Sequence, residues 1–260
     1  MPTWRAFLGA VVPGVTSLPG CTVLKHSADR RVIRVAHPMG AGDVVCRWTR
    51  SVGLRGALDA IRGSAARRDF DRILALRASG VGTAEPLARL EHRGAAHESW
   101  LVTEFLPDAG DLDRIVLMNL PRLDPSPRAG MKRRLAAAIA ELFATLQQGG
   151  WRHRDLKASN LLLVNFEQVV VVDLEGLRRL RPWDRSASAA GVIRLTASLL
   201  ESPQLGLLDL ARFLRECAGR SLVRGGSSRE VLLQVLAKAR AYNRAAKRRK
   251  TQKLDGTGAG

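Results

Sequence analysis

The stretch HRDLKASN, residues 153–160, decides the fold of this chain together with DLEG, residues 173–176. Between them lie two short apolar runs, Leu161–Val164 and Val169–Val172, separated by a polar turn. This pattern predicts a hairpin. The last residue of the first motif and the first residue of the second therefore lie at the same end of the hairpin, where both can reach one point.

The polar residues of these motifs are those that phosphoryl transfer from ATP requires: a carboxylate beside the acceptor hydroxyl, a cation on the moving phosphate and oxygen ligands for magnesium. We predict Asp155 as the base, Lys157 as the phosphate cation, and Asn160 and Asp173 as the Mg²⁺ ligands. Their spacing is that of protein kinases. Asp173 follows four consecutive valines, and a carboxylate there would be costly without a metal or cation partner.

His153 has a different predicted role from the residues that follow it. We expect it to be an architectural hydrogen-bonding residue in the core rather than an acid or base.

The rest of the chain fits a bilobal, protein-kinase-like α+β fold, with a small five-stranded N-lobe containing one helix and a larger helical C-lobe. Alternating apolar residues predict the strands and three- to four-residue spacings predict the helices. The predicted strands are Thr22–Lys25, Arg31–Val35, Val44–Trp48, Glu85–Leu90 and Ser99–Phe105, and the main predicted helices are Ser64–Ala78, Met131–Gln148, Leu207–Ala218 and Arg229–Lys247.

These elements divide the chain into four predicted regions. Residues 1–20 form an N-terminal extension, 21–107 the N-lobe and hinge, 108–246 the C-lobe, and 247–260 a basic disordered tail. The tail could lie against an anionic membrane surface, because each basic residue near such a surface adds attraction.

The small lobe supplies the predicted nucleotide-binding residues. A kinase carries a Lys on its third strand, held by an acidic residue of the neighbouring helix; here Arg47 and Asp69 take these positions, and Lys25 is an alternative phosphate cation. The alternative for Arg47 is an ordinary exposed cation on a strand. At the hinge, the Glu104 carbonyl and the Leu106 amide are predicted to bond the adenine edge.

The net charge of the chain indicates which classes of molecule it can bind. With 42 Lys and Arg against 24 Asp and Glu, the formal charge is +18, which attracts anionic molecules over long range. The basic tail lacks interleaved aromatic residues, so a specific nucleic-acid site is not expected. Three scattered cysteines without a CxxC pair fit a reducing, cytoplasmic compartment.

The run from Leu135 to Gly176 resembles the bacterial lipopolysaccharide kinase (Kdo/WaaP) family. The resemblance also includes ASGVGTAEP at 78–86 and DLARFL at 209–214, and it extends over roughly residues 20–243. It implies ATP-dependent phosphorylation of a sugar hydroxyl in the inner core of lipopolysaccharide, an anionic glycolipid, at the cytoplasmic face of the inner membrane.

Two departures from the family pattern keep other functions open. Arg47 stands where the family has Lys, and the sequence KASN at 157–160 is closer to ordinary protein kinases. The alternatives are a protein or small-molecule kinase of the same fold, and a catalytically impaired pseudokinase acting as a binding module.

Overall fold

The computed structural model describes residues 21–38, 42–93, 97–180, 187–223 and 227–256. The predicted N-terminal extension, residues 1–20, lies outside them. The chain divides into two compact units. The smaller takes the chain up to Ala78 together with Thr83–Pro107, and the larger takes Ser79–Gly82 and the chain from Asp108 onward. The predicted α+β class is confirmed, with one five-stranded sheet in the smaller unit and most of the helices in the larger.

The smaller unit is built on one antiparallel five-stranded sheet in the order β1-β2-β3-β5-β4. One face of the sheet packs around a core of Ile33, Val35, Val44, Cys46, Trp100 and Val102. The central strand β3 pairs with β2 and β5 along its length, which leaves β1 and β4 as edges. The strands are β1 (Thr22–Ser27), β2 (Arg30–Ala36), β3 (Asp43–Ser51), β4 (Pro86–Arg93) and β5 (His97–Glu104).

Two helices follow β3, α1 (Gly53–Arg62) and α2 (Ala65–Ala78), where the sequence predicted one. The prediction of a single helix was wrong because α1 contains two glycines, Gly53 at its start and Gly56 inside it, and glycine is a poor helix former. In α2, Ala66, Ile73 and Leu76 are buried, as the three- and four-residue spacing predicts.

The larger unit contains two small sheets, β6-β8-β9 and β10-β7. Its longest buried helix, α4, begins at Pro125 and ends at Gln148, before Gly149 and Gly150. Its strands are β6 (Ala109–Asp111), β7 (Trp151–His153), β8 (Leu161–Val164), β9 (Gln168–Val171) and β10 (Leu177–Arg179); its helices are α3 (Leu112–Arg114), α4 (Pro125–Gln148), α5 (Ala187–Leu199), α6 (Leu207–Gly219) and α7 (Ser228–Gly256).

The predicted hairpin is present as β8 and β9. Its turn passes through Asn165 and Phe166, both of which have positive φ. Two successive residues in this conformation match the right-handed twist of the flanking strands, which is why such turns are favoured in two-residue hairpins.

The prediction of a disordered tail from residue 247 is corrected by α7, which continues to Gly256. The physical reason is local: Ala245, Ala246 and the Lys, Arg and Gln residues that follow are good helix formers. No helix in the described part of the chain is long and apolar enough to cross a membrane.

Candidate active site

The predicted catalytic loop, residues 153–160, is held by backbone bonds to the segment that contains DLEG. Strand β7 pairs with β10, so that His153 lies opposite Leu177, and the Arg154 amide donates to the Gly176 carbonyl at 2.9 Å. The two motifs that are twenty residues apart in sequence are therefore fixed side by side by the main chain.

His153 links the two motifs through its side chain. Its Nε2 donates to the Asp173 carbonyl at 2.5 Å, and its Nδ1 accepts the Asp155 amide at 3.3 Å. Both bonds exist together only in the neutral Nε2–H tautomer. Burial of the ring lowers the pKa of His153 below its ordinary value, against the opposing effect of the Asp173 carbonyl. The predicted architectural role fits this geometry.

Gly176 allows this arrangement because it has no side chain. A Cβ at Gly176 would lie 2.6 Å from Cε1 and 2.9 Å from Nδ1 of His153, closer than real Cβ contacts allow. The ring position that serves Asp155 and Asp173 is therefore available only while glycine ends the DLEG motif.

The carboxylate of Asp155 is held by Arg194, a residue of α5. Arg194 donates from Nε at 2.7 Å and from Nη2 at 2.6 Å, both to Oδ1. The guanidinium also lies over the ring of Tyr242, 4.1 Å from its centroid. The Asp155 side chain is 48% exposed, so the carboxylate is oriented but still open to solvent.

Sequence reasoning missed Arg194, and no local signal could have identified it. It lies 39 residues after Asp155, in α5, which belongs to neither motif. Its role becomes visible only when the fold brings α5 beside the catalytic loop.

Asn160 and Asp173 present oxygen atoms that suit a magnesium ion. The Asn160 amide nitrogen donates to the Asp155 carbonyl at 2.9 Å, which turns its Oδ1 away from that bond. Oδ1 of Asp173 accepts the Glu175 amide at 3.2 Å. The Val172 amide donates to the Asn160 carbonyl at 3.1 Å. This bond joins the backbone of Asn160 to the residue that precedes Asp173. Amide and carboxylate oxygens are the ligands that Mg²⁺ prefers, and it keeps several waters and phosphate oxygens besides; the donor set fits.

Lys157 interacts electrostatically with an acidic residue of the larger unit, Asp113. Burial raises the pKa of Asp113 above its ordinary value, Asp111 acts in the same direction, and Lys157 acts against both. The predicted phosphate cation is therefore within electrostatic reach of Asp113, a carboxylate that precedes it by more than forty residues.

In the smaller unit, Arg47 and Asp69 form a salt bridge in which the side chains are only 11% and 5% exposed. Asp69 also accepts from Arg72, with Nη1 at 2.8 Å from Oδ1. The alternative of an ordinary exposed cation at Arg47 does not describe this buried pair. A carboxylate that bridges two guanidinium groups is a rigid mount for the nitrogen atoms of Arg47.

The remaining predicted nucleotide-binding residues lie on the edge and at the end of the same sheet. Lys25 is exposed on β1. Glu104 ends β5, where its amide donates to the Glu85 carbonyl at 3.0 Å and its carboxylate accepts the Glu85 amide at 2.7 Å. Leu106 follows outside any strand or helix and is half-buried.

Comparisons with known proteins agree with this geometry. The model of the lipopolysaccharide kinase (Kdo/WaaP) family matches residues 58–216, well over half of the chain. A solved structure described as WaaP in complex with acyl carrier protein has a TM-score of 0.59 and 23% sequence identity, over 93% of this chain and 95% of that chain. At that identity the likeness shows the fold.

A second solved structure, a crystal structure of WbdD, is more distant. It has 16% identity and a TM-score of 0.47 over 81% of this chain and 49% of that chain, and no conclusion rests on it. No curated protein matches the chain in sequence.

Proposed function

The chain belongs to the lipopolysaccharide kinase (Kdo/WaaP) family and is thus a phosphotransferase, and we propose that it transfers the γ-phosphoryl group of ATP to a sugar hydroxyl of the lipopolysaccharide inner core. The observation that carries the proposal is the His153 bridge. It fixes the backbone of Asp155 and of Asp173, the predicted base and the predicted metal ligand, to one imidazole ring.

Asp155 would accept a hydrogen bond from the sugar hydroxyl and act as its general base. Arg194 bonds one of its oxygens, Oδ1, through two nitrogens and so restrains the carboxylate, while Oδ2 would accept a hydrogen bond from the hydroxyl. Positioning of the nucleophile is most of what a protein contributes to this reaction, because the transition state is loose and largely dissociative.

Asn160 and Asp173 would hold Mg²⁺, which would neutralise charge on the phosphates of ATP. Lys157 would lie against the transferring phosphate, since a cation there stabilises the charge that develops in the transition state.

Arg47 would bind the phosphates of ATP, as a Lys does in most kinases. Asp69 would hold the Arg47 side chain, as a Glu holds that Lys. A planar guanidinium can serve two phosphate oxygens at once, although it is not interchangeable with an ammonium group. Lys25 would add a second cation, and the backbone of Glu104 and Leu106 would bond the adenine edge.

The acceptor is proposed from the family and from charge. A net charge of +18 favours a phosphorylated, anionic acceptor such as the lipopolysaccharide core. The proposed place of action is the cytoplasmic face of the inner membrane, where such a glycolipid is available together with ATP.

The test is transfer of label from γ-labelled ATP, with magnesium, to dephosphorylated lipopolysaccharide core, with a protein mixture as the competing acceptor. Label in the glycolipid that is absent with Asp155→Asn and present with the exposed control Asp71→Asn supports the proposal. Label mainly in protein supports a protein kinase. Nucleotide binding without transfer to either acceptor supports a pseudokinase.

A further inference from the structure

Helix α1, Gly53–Arg62, is oriented opposite to an ordinary surface helix. Leu54 is 80% exposed and Ile61 is 83% exposed, and Leu58 between them is exposed as well. The buried side chain of this helix is Asp59. A surface helix normally turns its apolar stripe to the core and its charges to water, so this one presents an apolar face outward.

The outward orientation is fixed by polar contacts on the inner face. Asp59 accepts from the Ser51 hydroxyl at 2.7 Å and from Arg68 Nη1 at 2.7 Å. Burial by itself would raise the pKa of Asp59, but these two hydrogen bonds bring it below its ordinary value. Gly56 lies so close to the Ser51 carbonyl that a Cβ would be 3.0 Å from its oxygen.

Rotating α1 to bury its leucines would expose these bonds and move a side chain into the place of Gly56. The exposed apolar face is therefore a built feature of the helix and is not produced by a loosely packed end.

The three apolar residues form one stripe. Leu58 follows Leu54 by four residues and Ile61 follows Leu58 by three, spacings that place all three side chains on one side of a helix. At about 1.5 Å per residue the stripe is short, on the order of 10 Å. It is too small to supply the roughly 800 Å² per partner that a stable protein interface buries.

Arginines flank the stripe. From Arg50 to Arg68, both included, the chain carries five arginines and one acidic residue, and that acidic residue is the inward-facing Asp59. Arg55 and Arg62 lie seven residues apart on the same flank of α1, and Arg55 is 67% exposed with a 3.5 Å contact to Asp29. An apolar face beside a basic flank is the pattern of helices that lie in the interface of an anionic bilayer.

We propose that α1 docks the protein on anionic membranes by inserting Leu54, Leu58 and Ile61 among the acyl chains. Arg55 and Arg62 then lie at the level of the headgroup phosphates. This docking goes beyond the proposed phosphotransfer and does not depend on it, because the helix has the same geometry whatever the active site phosphorylates.

The first experiment is co-sedimentation of the full chain with vesicles of equal parts phosphatidylglycerol and phosphatidylcholine, and with vesicles of phosphatidylcholine alone. Neither nucleotide nor glycolipid is present, so failure of the phosphotransfer assay cannot be mistaken for failure of docking. The double variant Leu54→Gln/Ile61→Gln is expected to bind the anionic vesicles at least about tenfold more weakly, since each removes a buried apolar side chain.

The matched control is Leu207→Gln/Leu208→Gln, which removes two leucines that are similarly exposed at the start of α6. It is expected to bind as the unaltered chain does, within about twofold. Equal binding by the α1 variant and the unaltered chain, or equal loss in both variants, overturns the proposal.

A second measurement reports on the folded protein without removing the apolar face. In a Cys21→Ser background, an environment-sensitive fluorophore is attached at Ile61→Cys or, as control, at Leu208→Cys. The remaining thiols, Cys46 and Cys217, are fully buried, and burial raises the pKa of each to about 12, so they stay unlabelled.

Docking predicts that anionic vesicles shift the emission of the label at position 61 to the blue and leave the label at 208 unchanged. An emission already blue-shifted without vesicles would show that this chain or a second copy covers the face, and would overturn the proposal. Binding of an acidic carrier protein that the α1 double variant abolishes, with vesicle binding intact, would overturn it in favour of a protein partner.

Discussion

The catalytic loop, residues 153–160, and the Arg47–Asp69 pair carry out two halves of the same proposed chemistry, but they are built differently. The loop keeps the residue types expected of a kinase. Its backbone is held by main-chain bonds and one imidazole ring, and one side chain, Arg194, holds the Asp155 carboxylate. The pair has Arg and Asp where most kinases have Lys and Glu, and it is held by contacts between charged side chains.

This difference indicates where substitution is tolerated. A loop whose geometry depends on backbone bonds and on a glycine contact has little room for change, because each replacement moves its neighbours. A buried ion pair can consist of Arg and Asp where most kinases have Lys and Glu, provided that the two groups still reach each other. The guanidinium then offers the phosphates a different donor geometry from an ammonium group.

The largest expected effect is on the side of the loop. Asp155→Asn is expected to lower kcat by about 10³-fold or more, because it removes the acceptor for the hydroxyl proton while keeping the shape of the side chain. The measurement is the initial rate of label transfer from ATP to the glycolipid core. A variant that keeps more than about a tenth of the rate would contradict the assignment of the base.

On the side of the pair, Arg47→Ala is expected to lower kcat/KM by about 10²-fold, since one preorganised contact to a phosphate is worth roughly that much. It also leaves Asp69 with Arg72 as its remaining partner. Steady-state kinetics over a range of ATP concentrations checks this, with Arg47→Lys as the conservative control. If Arg47→Ala were as active as the unaltered chain, the pair would be structural only.

Gly176→Ala tests the contact on which the loop depends. The added methyl group would meet the His153 ring, so we expect a loss of about 1–3 kcal/mol in the free energy of unfolding, measured by chemical denaturation. Gly219→Ala is the matched control, because a Cβ there meets nothing within 4 Å. Equal effects of the two substitutions would show that the close contact at Gly176 costs nothing.

Arg194 is a positioning residue for Asp155, and its removal sharpens the comparison further. Arg194→Lys keeps the charge but loses the two-nitrogen contact to Oδ1 and the stacking on Tyr242. We expect kcat to fall about tenfold with KM for ATP unchanged. A rise in KM at constant kcat would place Arg194 in nucleotide binding instead.

The smallest expected effect is the pH dependence that His153 contributes. Its folded-state pKa is lowered, so the unfolded chain binds the proton more readily. The neutral, buried ring therefore contributes fully to stability above about pH 6.5, the pKa of histidine in the unfolded chain. This contribution is lost as the pH falls from there towards the lower pKa of the folded state. The free energy of unfolding, measured from neutral to mildly acidic pH, should change less steeply with pH in His153→Gln than in the unaltered chain. If the steepness were the same in both, the pH dependence would belong to other groups.

Much of the architecture could be predicted from the sequence because it depends on short-range patterns. The strand alternation gave β1 to β5 within a few residues of their observed ends, and the family resemblance is confirmed by the family model. Helix α1 was missed because its two glycines, Gly53 and Gly56, weaken the helical signal of the segment. Which side of this helix is buried could not be predicted either, because its apolar residues face away from the core.

The sequence by itself determined which groups are proposed as catalytic, since Asp155, Lys157, Asn160 and Asp173 lie within one loop and one hairpin whose pattern is local. Only the tertiary structure decided how these groups are held. Arg194 reaches Asp155 across 39 residues, and Asp59 turns α1 outward through Ser51 and Arg68. Both depend on contacts between separate elements, and the spacing of residues along the chain carries no record of such contacts.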